Sequence, residues 1–151
     1  METYERIKAF SVPGQPVGKQ RPKFSTVNGH AVAYTPAKTA NYETLVRLAY
    51  MQAYPGAKPF EKGTPLVVNI EAFFQIPKAT SKKKREEMLA HNIRPTTKID
   101  IDNISKAVCD ALNKVAYYDD SQIVVLKARK YYADEPGVNI TIYAVSNEKA
   151  L

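Results

Sequence analysis

Leu66-Val67-Val68-Asn69-Ile70-Glu71-Ala72-Phe73-Phe74-Gln75-Ile76 is the stretch that sets the fold class. Leu66, Val68, Ile70, Ala72, Phe74 and Ile76 occupy alternate positions, with Asn69, Glu71 and Gln75 between them. A period of two is that of a β-strand, whose successive side chains point to opposite sides. The segment therefore reads as a strand with one face in the core. Upstream, Thr35-Pro36 opens a helix, because Thr is a good N-cap and Pro suits the first helical position. Tyr42, Leu45, Val46, Ala49, Tyr50 and Ala53 recur at helical spacing as its apolar face, and Pro55-Gly56 ends it. Residues 4–12 form a further strand, stopped by Pro13-Gly14-Gln15-Pro16, and residues 31–34 a short one.

Downstream, Thr80-Ser81 caps a second, very polar helix reaching to about Ala90. Residues 91–99 lack periodicity and contain Pro95, so they form a loop. A third helix begins near Asp102. Residues 123–132 and 138–145 read as two more strands, expected as a hairpin across Asp134-Glu135-Pro136-Gly137. The expectation is an α/β (α+β) fold, a sheet packed against helices, in one domain over residues 1–151.

Lys and Arg total 22 against 15 acids, a net charge of +7. In so small a chain this favours an anionic partner, nucleic acid being the commonest. Apolar content of 44% is ordinary for a globular protein, and no apolar run reaches the roughly 18 residues of a membrane span. Met1-Glu2-Thr3-Tyr4 does not resemble the start of a signal peptide. Cys109 is the single cysteine and has no internal partner, so a cytoplasmic location is expected.

The chemistry concentrates in Asp100-Ile101-Asp102-Asn103 and Asp119-Asp120. In an extended segment, side chains two apart point the same way, so Asp100 and Asp102 would present carboxylates to one point. Like charges so placed raise each other's pKa unless a cation joins them. Mg²⁺ takes hard oxygen ligands and keeps waters that substrate phosphates replace. On the third helix, at about 100° per residue, Ile104, Ala107, Val108, Ala111, Leu112 and Val115 gather on one side. Asp102, Lys106 and Asn113 gather opposite, with Asp110 nearer the edge. Lys106, one turn after Asp102, is placed to neutralise a phosphate oxygen or a leaving group. A bland alternative makes Asp102 a helix cap bridged to Lys106, and Asp119-Asp120 a plain turn.

Lys98-Ile99-Asp100-Ile101-Asp102-Asn103-Ile104-Ser105-Lys106-Ala107-Val108-Cys109-Asp110-Ala111-Leu112-Asn113, followed by Tyr118-Asp119-Asp120-Ser121-Gln122-Ile123, resembles a family signature. It is that of the RusA-type Holliday junction resolvases: Asp-x-Asp-Asn, a Lys one helical turn on, an Asp-Ala-Leu-Asn-like helix end and Asp-Asp-x-Gln. Pro16-Val17-Gly18-Lys19-Gln20-Arg21-Pro22-Lys23-Phe24 looks like the family's basic loop. The resemblance implies a mixed-sheet, homodimeric, Mg²⁺-dependent endodeoxyribonuclease that resolves four-way DNA junctions in recombination and repair. It puts the metal-binding carboxylates on Asp100, Asp102 and Asp120, the last chosen over Asp119 by the Ser121-Gln122 that follows. Its essential lysine falls on Lys106. The basic residue that often precedes the first Asp is displaced here, with Ile99 in its place and Lys98 one earlier. Members are common in phages and prophages.

Further DNA contacts are expected from the basic residues. Lys19, Arg21 and Lys23 lie in the stiff loop around Pro22. Lys82, Lys83, Lys84 and Arg85 start the second helix, where cations oppose the helix dipole and a phosphate would relieve them. Lys127 and Arg129 share one strand face, opposite Val124, Leu126 and Ala128. Tyr117 and Tyr118 are placed to stack on unpaired bases. Two rival readings are a non-catalytic structure-selective DNA-binding module and a nucleotide-sugar transferase using Asp-x-Asp. The second lacks a Gly-rich phosphate loop and the length for a nucleotide-binding domain.

Overall fold

Strand β4 (Leu66–Gln75) lies inside a four-stranded sheet of order β1-β6-β4-β5, formed with β1 (Glu2–Pro13), β5 (Ile123–Ala133) and β6 (Gly137–Asn147). This computed structural model describes residues 2–147, with side chains for residues 6–145; Met1 and residues 148–151 lie outside the described residues. β4 runs parallel to β5, pairing Val68 with Leu126 and Ile70 with Ala128. It runs antiparallel to β6, pairing Val68 with Ile142 and Ile70 with Ile140. The alternation in β4 is real: Leu66, Val68, Ile70 and Ala72 are buried together with Val12, Ile140 and Ile142. That face packs against α1 (Ala37–Ala53) and α3 (Ile101–Leu112). A short helix α2 (Lys82–Leu89), capped by Ser81, touches β5. The result is an α+β fold with a mixed sheet, as expected.

Four expectations are corrected. β5 and β6 do not form a hairpin; β6 inserts between β1 and β4. Val138, Ile140 and Ile142 of β6 are fully buried, which suits an interior strand, while β5 carries Lys127 and Arg129, which suit an edge. The N-cap of α1 is Pro36, not Thr35, and no side chain caps it. The buried stripe of α1 is narrower than expected, Thr39, Tyr42, Val46 and Tyr50, leaving Leu45 exposed. Finally, the basic loop leads into a separate hairpin, β2 (Lys23–Val27) with β3 (His30–Tyr34). Its two-residue turn is Asn28-Gly29, both at positive φ, the commonest composition for a tight hairpin. Among the described residues no helix is long and apolar enough to cross a membrane.

Candidate active site

Helix α3 carries the site because its two sides differ. Ile104, Ala107, Val108, Ala111 and Leu112 are fully buried against the sheet and α1, whereas Asp102 and Lys106 are exposed. The helix starts at Ile101 with Asp100 as N-cap, so Asp100 and Asp102 are not alternate positions of an extended segment. It ends at Leu112, so Val115 and Asn113 lie beyond it. The Asp100 side chain makes no capping bond, and Lys106 makes no ion pair with Asp102. The bland account of these residues as cap and bridge is therefore absent from the fold. Both carboxylates sit at the helix N-terminus, where unpaired N–H groups favour negative charge.

The second acidic element is a 3₁₀ turn, Asp120–Gln122, between α3 and β5. Asp119 is its cap: Oδ2 accepts from Ser121 N at 3.0 Å. The Ser121 hydroxyl first, then this backbone bond, holds the Asp119 carboxyl below the usual carboxylate range, with a smaller contribution from Lys114. Gln122 completes the turn. Its Oε1 accepts from Tyr118 N (2.9 Å) and Asp119 N (3.1 Å), while Nε2 donates to Glu61 O (2.9 Å) and Thr64 O (3.1 Å). This buried amide ties the acidic turn to the loop before β4. Asp120, by contrast, has its carboxylate free of hydrogen bonds and ion pairs among the described residues.

Asp102, Lys106, Asp110 and Asp120 line one cavity of about 410 Å³, with Ser105, Cys109, Leu126 and Ala128 among its other walls. Asp102 also borders a neighbouring cavity with Asp100, Arg94, Arg129 and Lys130. On the other side of the acidic turn a third cavity is lined by Lys62, Lys114, Tyr118, Asp119 and Val124. Val124, Leu126, Ala128 and Lys130 of β5 border the three in turn. The row spans about 20 Å at some 3.3 Å per strand residue. Asp102, Asp110 and Asp120 gather in its middle around Lys106, and each end adds cations, Lys62 and Lys114 beside Asp119 at one and Arg94, Arg129 and Lys130 beside Asp100 at the other.

The acidic middle leaves its mark on neighbouring groups. Burial, with Asp110 and Asp120 close by, pushes the Cys109 thiol up to about 12. Burial also drives up the Tyr117 hydroxyl, which donates to Cys109 O at 2.5 Å. Asp110 is partly neutralised by Lys19 Nζ at 3.4 Å, and the same ammonium meets Glu43 Oε1 of α1 at 2.5 Å. Lys19 N also donates to Asn103 O (2.8 Å), and Gln20 N to the buried Thr39 Oγ1 (3.1 Å). The start of the basic loop is thus strapped to both α1 and α3. At Gly18 an added Cβ would overlap Ile99 Cγ2 and press on Asn103 Cβ at 3.2 Å, so only glycine lets the strap lie this close.

Among the described residues no group of three or more His, Cys, Asp or Glu side chains forms a ready metal cage. Mg²⁺ does not require one. It is commonly held by one or two carboxylates, with waters and substrate phosphates completing the shell. The uncommitted carboxylates of Asp102 and Asp120 fit that demand, with Asp100 in the adjoining cavity.

The expected DNA-contacting residues are dispersed. Arg21 and Lys23 are exposed beyond the strap. Lys19 is held inside it, only 16% exposed. Lys82, Lys83 and Lys84 are exposed on α2, while Arg85 pairs with Asp134 just past β5. Lys98 is exposed before α3. Arg129 borders the cavity of Asp100 and Asp102; Lys127, paired with Asn69, faces away from α3 and borders none of the three. The sequence reading missed Arg94, Lys130 and the structural work of Gln122. Lys130 was findable by alternation from Ala128; Arg94 lies in a loop with no periodic signal.

The comparisons agree with this architecture. Residues 13–143 match the family model described as endodeoxyribonuclease RusA. A crossover junction endodeoxyribonuclease, rusA, of Lactococcus phage r1t is 31% identical over 90% of this chain and 95% of its own. YqaN of Bacillus subtilis (strain 168), an uncharacterised protein, is 40% identical over 91% of this chain and 96% of its own. The chain belongs to the RusA family of endodeoxyribonucleases.

Proposed function

We propose that the chain resolves four-way DNA junctions by Mg²⁺-dependent hydrolysis of paired phosphodiesters, in recombination and repair within the cytoplasm. The observation that carries this is the cavity where Asp102 and Asp120, both uncommitted, face Lys106. Asp102 and Asp120, with Asp100 at the rim, would hold the metal. When bound, it supplies Lewis-acid stabilisation of the charge that builds on the phosphate. The protein's own part is positional. The buried α3 stripe and the Gln122 bonds fix the acids before DNA arrives, so no reorganisation is needed at the moment of reaction. Lys106 places an ammonium beside the phosphate oxygens or the leaving oxygen. Basic walls at both ends of the trough orient the strand so that the phosphodiester lies over the acids.

A four-way junction needs cuts in two opposed strands, and one chain carries one acidic cavity. We therefore assign the working form to a C₂ homodimer whose two troughs face the same side. The deciding experiment is incubation with a synthetic four-way junction, with and without Mg²⁺. Paired incision is expected only with the metal. Asp100→Asn, Asp102→Asn and Asp120→Asn should each cut at least about 10²–10³-fold more slowly while binding the junction normally. Undiminished cutting by Asp120→Asn would remove that residue from the ligand set.

A further inference from the structure

The cavity beyond the acidic turn is the largest of the trough at about 520 Å³, within the roughly 300–1,000 Å³ of small-ligand sites. Lys62 and Lys114 border it, and neither makes an ion pair or hydrogen bond among the described residues. Tyr118 stands at its edge with nearly half its surface exposed, 46%. An adjoining groove shares Lys62 and Tyr118 and adds Arg6 and Lys58, with Glu61 as its one acid. The walls are stiff, because Gln122 ties the Glu61–Thr64 turn to the backbone of Tyr118 and Asp119.

Lys114 supplies a separate clue. It follows the C-cap of α3 at φ 69, a left-handed conformation that glycine adopts freely and other residues adopt at a cost. Its ammonium borders the cavity beside Asp119, whose carboxyl pKa it helps to lower.

We propose that this cavity is a second DNA subsite, which takes an unstacked nucleotide of the cut strand next to the scissile phosphate. The Tyr118 ring stacks on the base, while Lys62 and Lys114 hold its flanking phosphates. This rests on the junction-cutting reading and extends it. Stacking is interrupted at a branch point and continuous in intact duplex, so a base there is extruded at lower cost and the subsite favours junctions over linear DNA. Its position on the far side of Asp119-Asp120 from the acidic cavity sets the distance from stacked base to cut.

The test measures binding of a four-way junction and of linear duplex in Ca²⁺ by fluorescence anisotropy, for wild type, Tyr118→Phe, Tyr118→Leu, Lys62→Gln and Lys114→Gly. Tyr118→Leu is expected to lose about tenfold or more in junction affinity, with little change on duplex, and Tyr118→Phe to retain it. Each lysine variant should lower the slope of log K against log salt by about one. Lys114→Gly relieves the backbone, so its melting temperature should equal or exceed wild type while its binding weakens. A wild type that binds no junction would defeat the junction reading itself. A wild type that binds, with Tyr118→Leu and Lys114→Gly matching it in affinity and slope, would overturn the subsite alone.

Discussion

Asp119 and Asp120 are adjacent carboxylates with opposite commitments: one spends its lone pairs on the backbone of its own turn, the other faces a cavity with Asp102. The pair could be read from sequence, and the Ser121-Gln122 that follows made Asp120 the expected ligand. The split between the two carboxylates was not legible, because it depends on Gln122 reaching the carbonyls of Glu61 and Thr64, far back along the chain. Cys109 teaches the same lesson. Seven residues after Asp102, it lies at nearly the same helical angle and borders the acidic cavity, yet it is 9% exposed. With its thiol pushed up to about 12, almost none is the nucleophilic thiolate at pH 8. Iodoacetamide should therefore leave Cys109 unmodified in the folded protein and label it readily in denaturant, as read by mass spectrometry. Equal labelling rates in both states would mean that the thiol is not buried beside these acids.

Elements with strong periodicity were legible: β4 and α3 show the apolar sets their spacing demanded. Failures came where partners decide. Nothing in residues 137–147 names β1 and β4 as their neighbours, and the hairpin expected with β5 ignored how thoroughly Val138, Ile140 and Ile142 needed covering on both sides. The β2–β3 hairpin was a missed local signal, since Asn28-Gly29 is on the page of the sequence. Lys19 is the telling case of a loop cation whose charge is used internally. Burial alone would lower its pKa, but Glu43 and Asp110 outweigh that and raise it above the ordinary 10.5. A raised folded-state value stabilises fully below the unfolded one and is lost as pH climbs through the folded one. Lys19→Met should therefore cost about 1–3 kcal/mol at neutral pH, as charged hydrogen bonds do. The gap to wild type should narrow above pH 10.5, where wild type alone loses the interaction. Urea denaturation across that range checks it, and a constant gap would assign the loss to packing rather than charge.

For the whole molecule, the trough along β5 is what no reading of single segments reveals, because its walls come from four separate parts of the chain. Pairing two chains would double the net charge of +7 and give each opposed strand its own acids. Sedimentation at micromolar concentration should find a dimer, and a mixed dimer with one Asp100→Asn chain should nick one strand and spare the other. A monomer that still makes paired cuts would refute the symmetry argument. The same trough has a cost for the chain without DNA. β5 is the sheet's last strand, and Ile123-Val124-Val125-Leu126 is an uncharged apolar run on it, with Val124 61% and Leu126 48% exposed. Such an edge invites a stranger's strand, and Lys127, Arg129 and Lys130 immediately after it act as gatekeepers by mutual repulsion between copies. Salt shortens the reach of that repulsion to about 8 Å at physiological ionic strength and less beyond. The ions that loosen the protein from DNA therefore also disarm its defence against aggregation, so the chain is most prone to precipitate under the conditions that strip its substrate away.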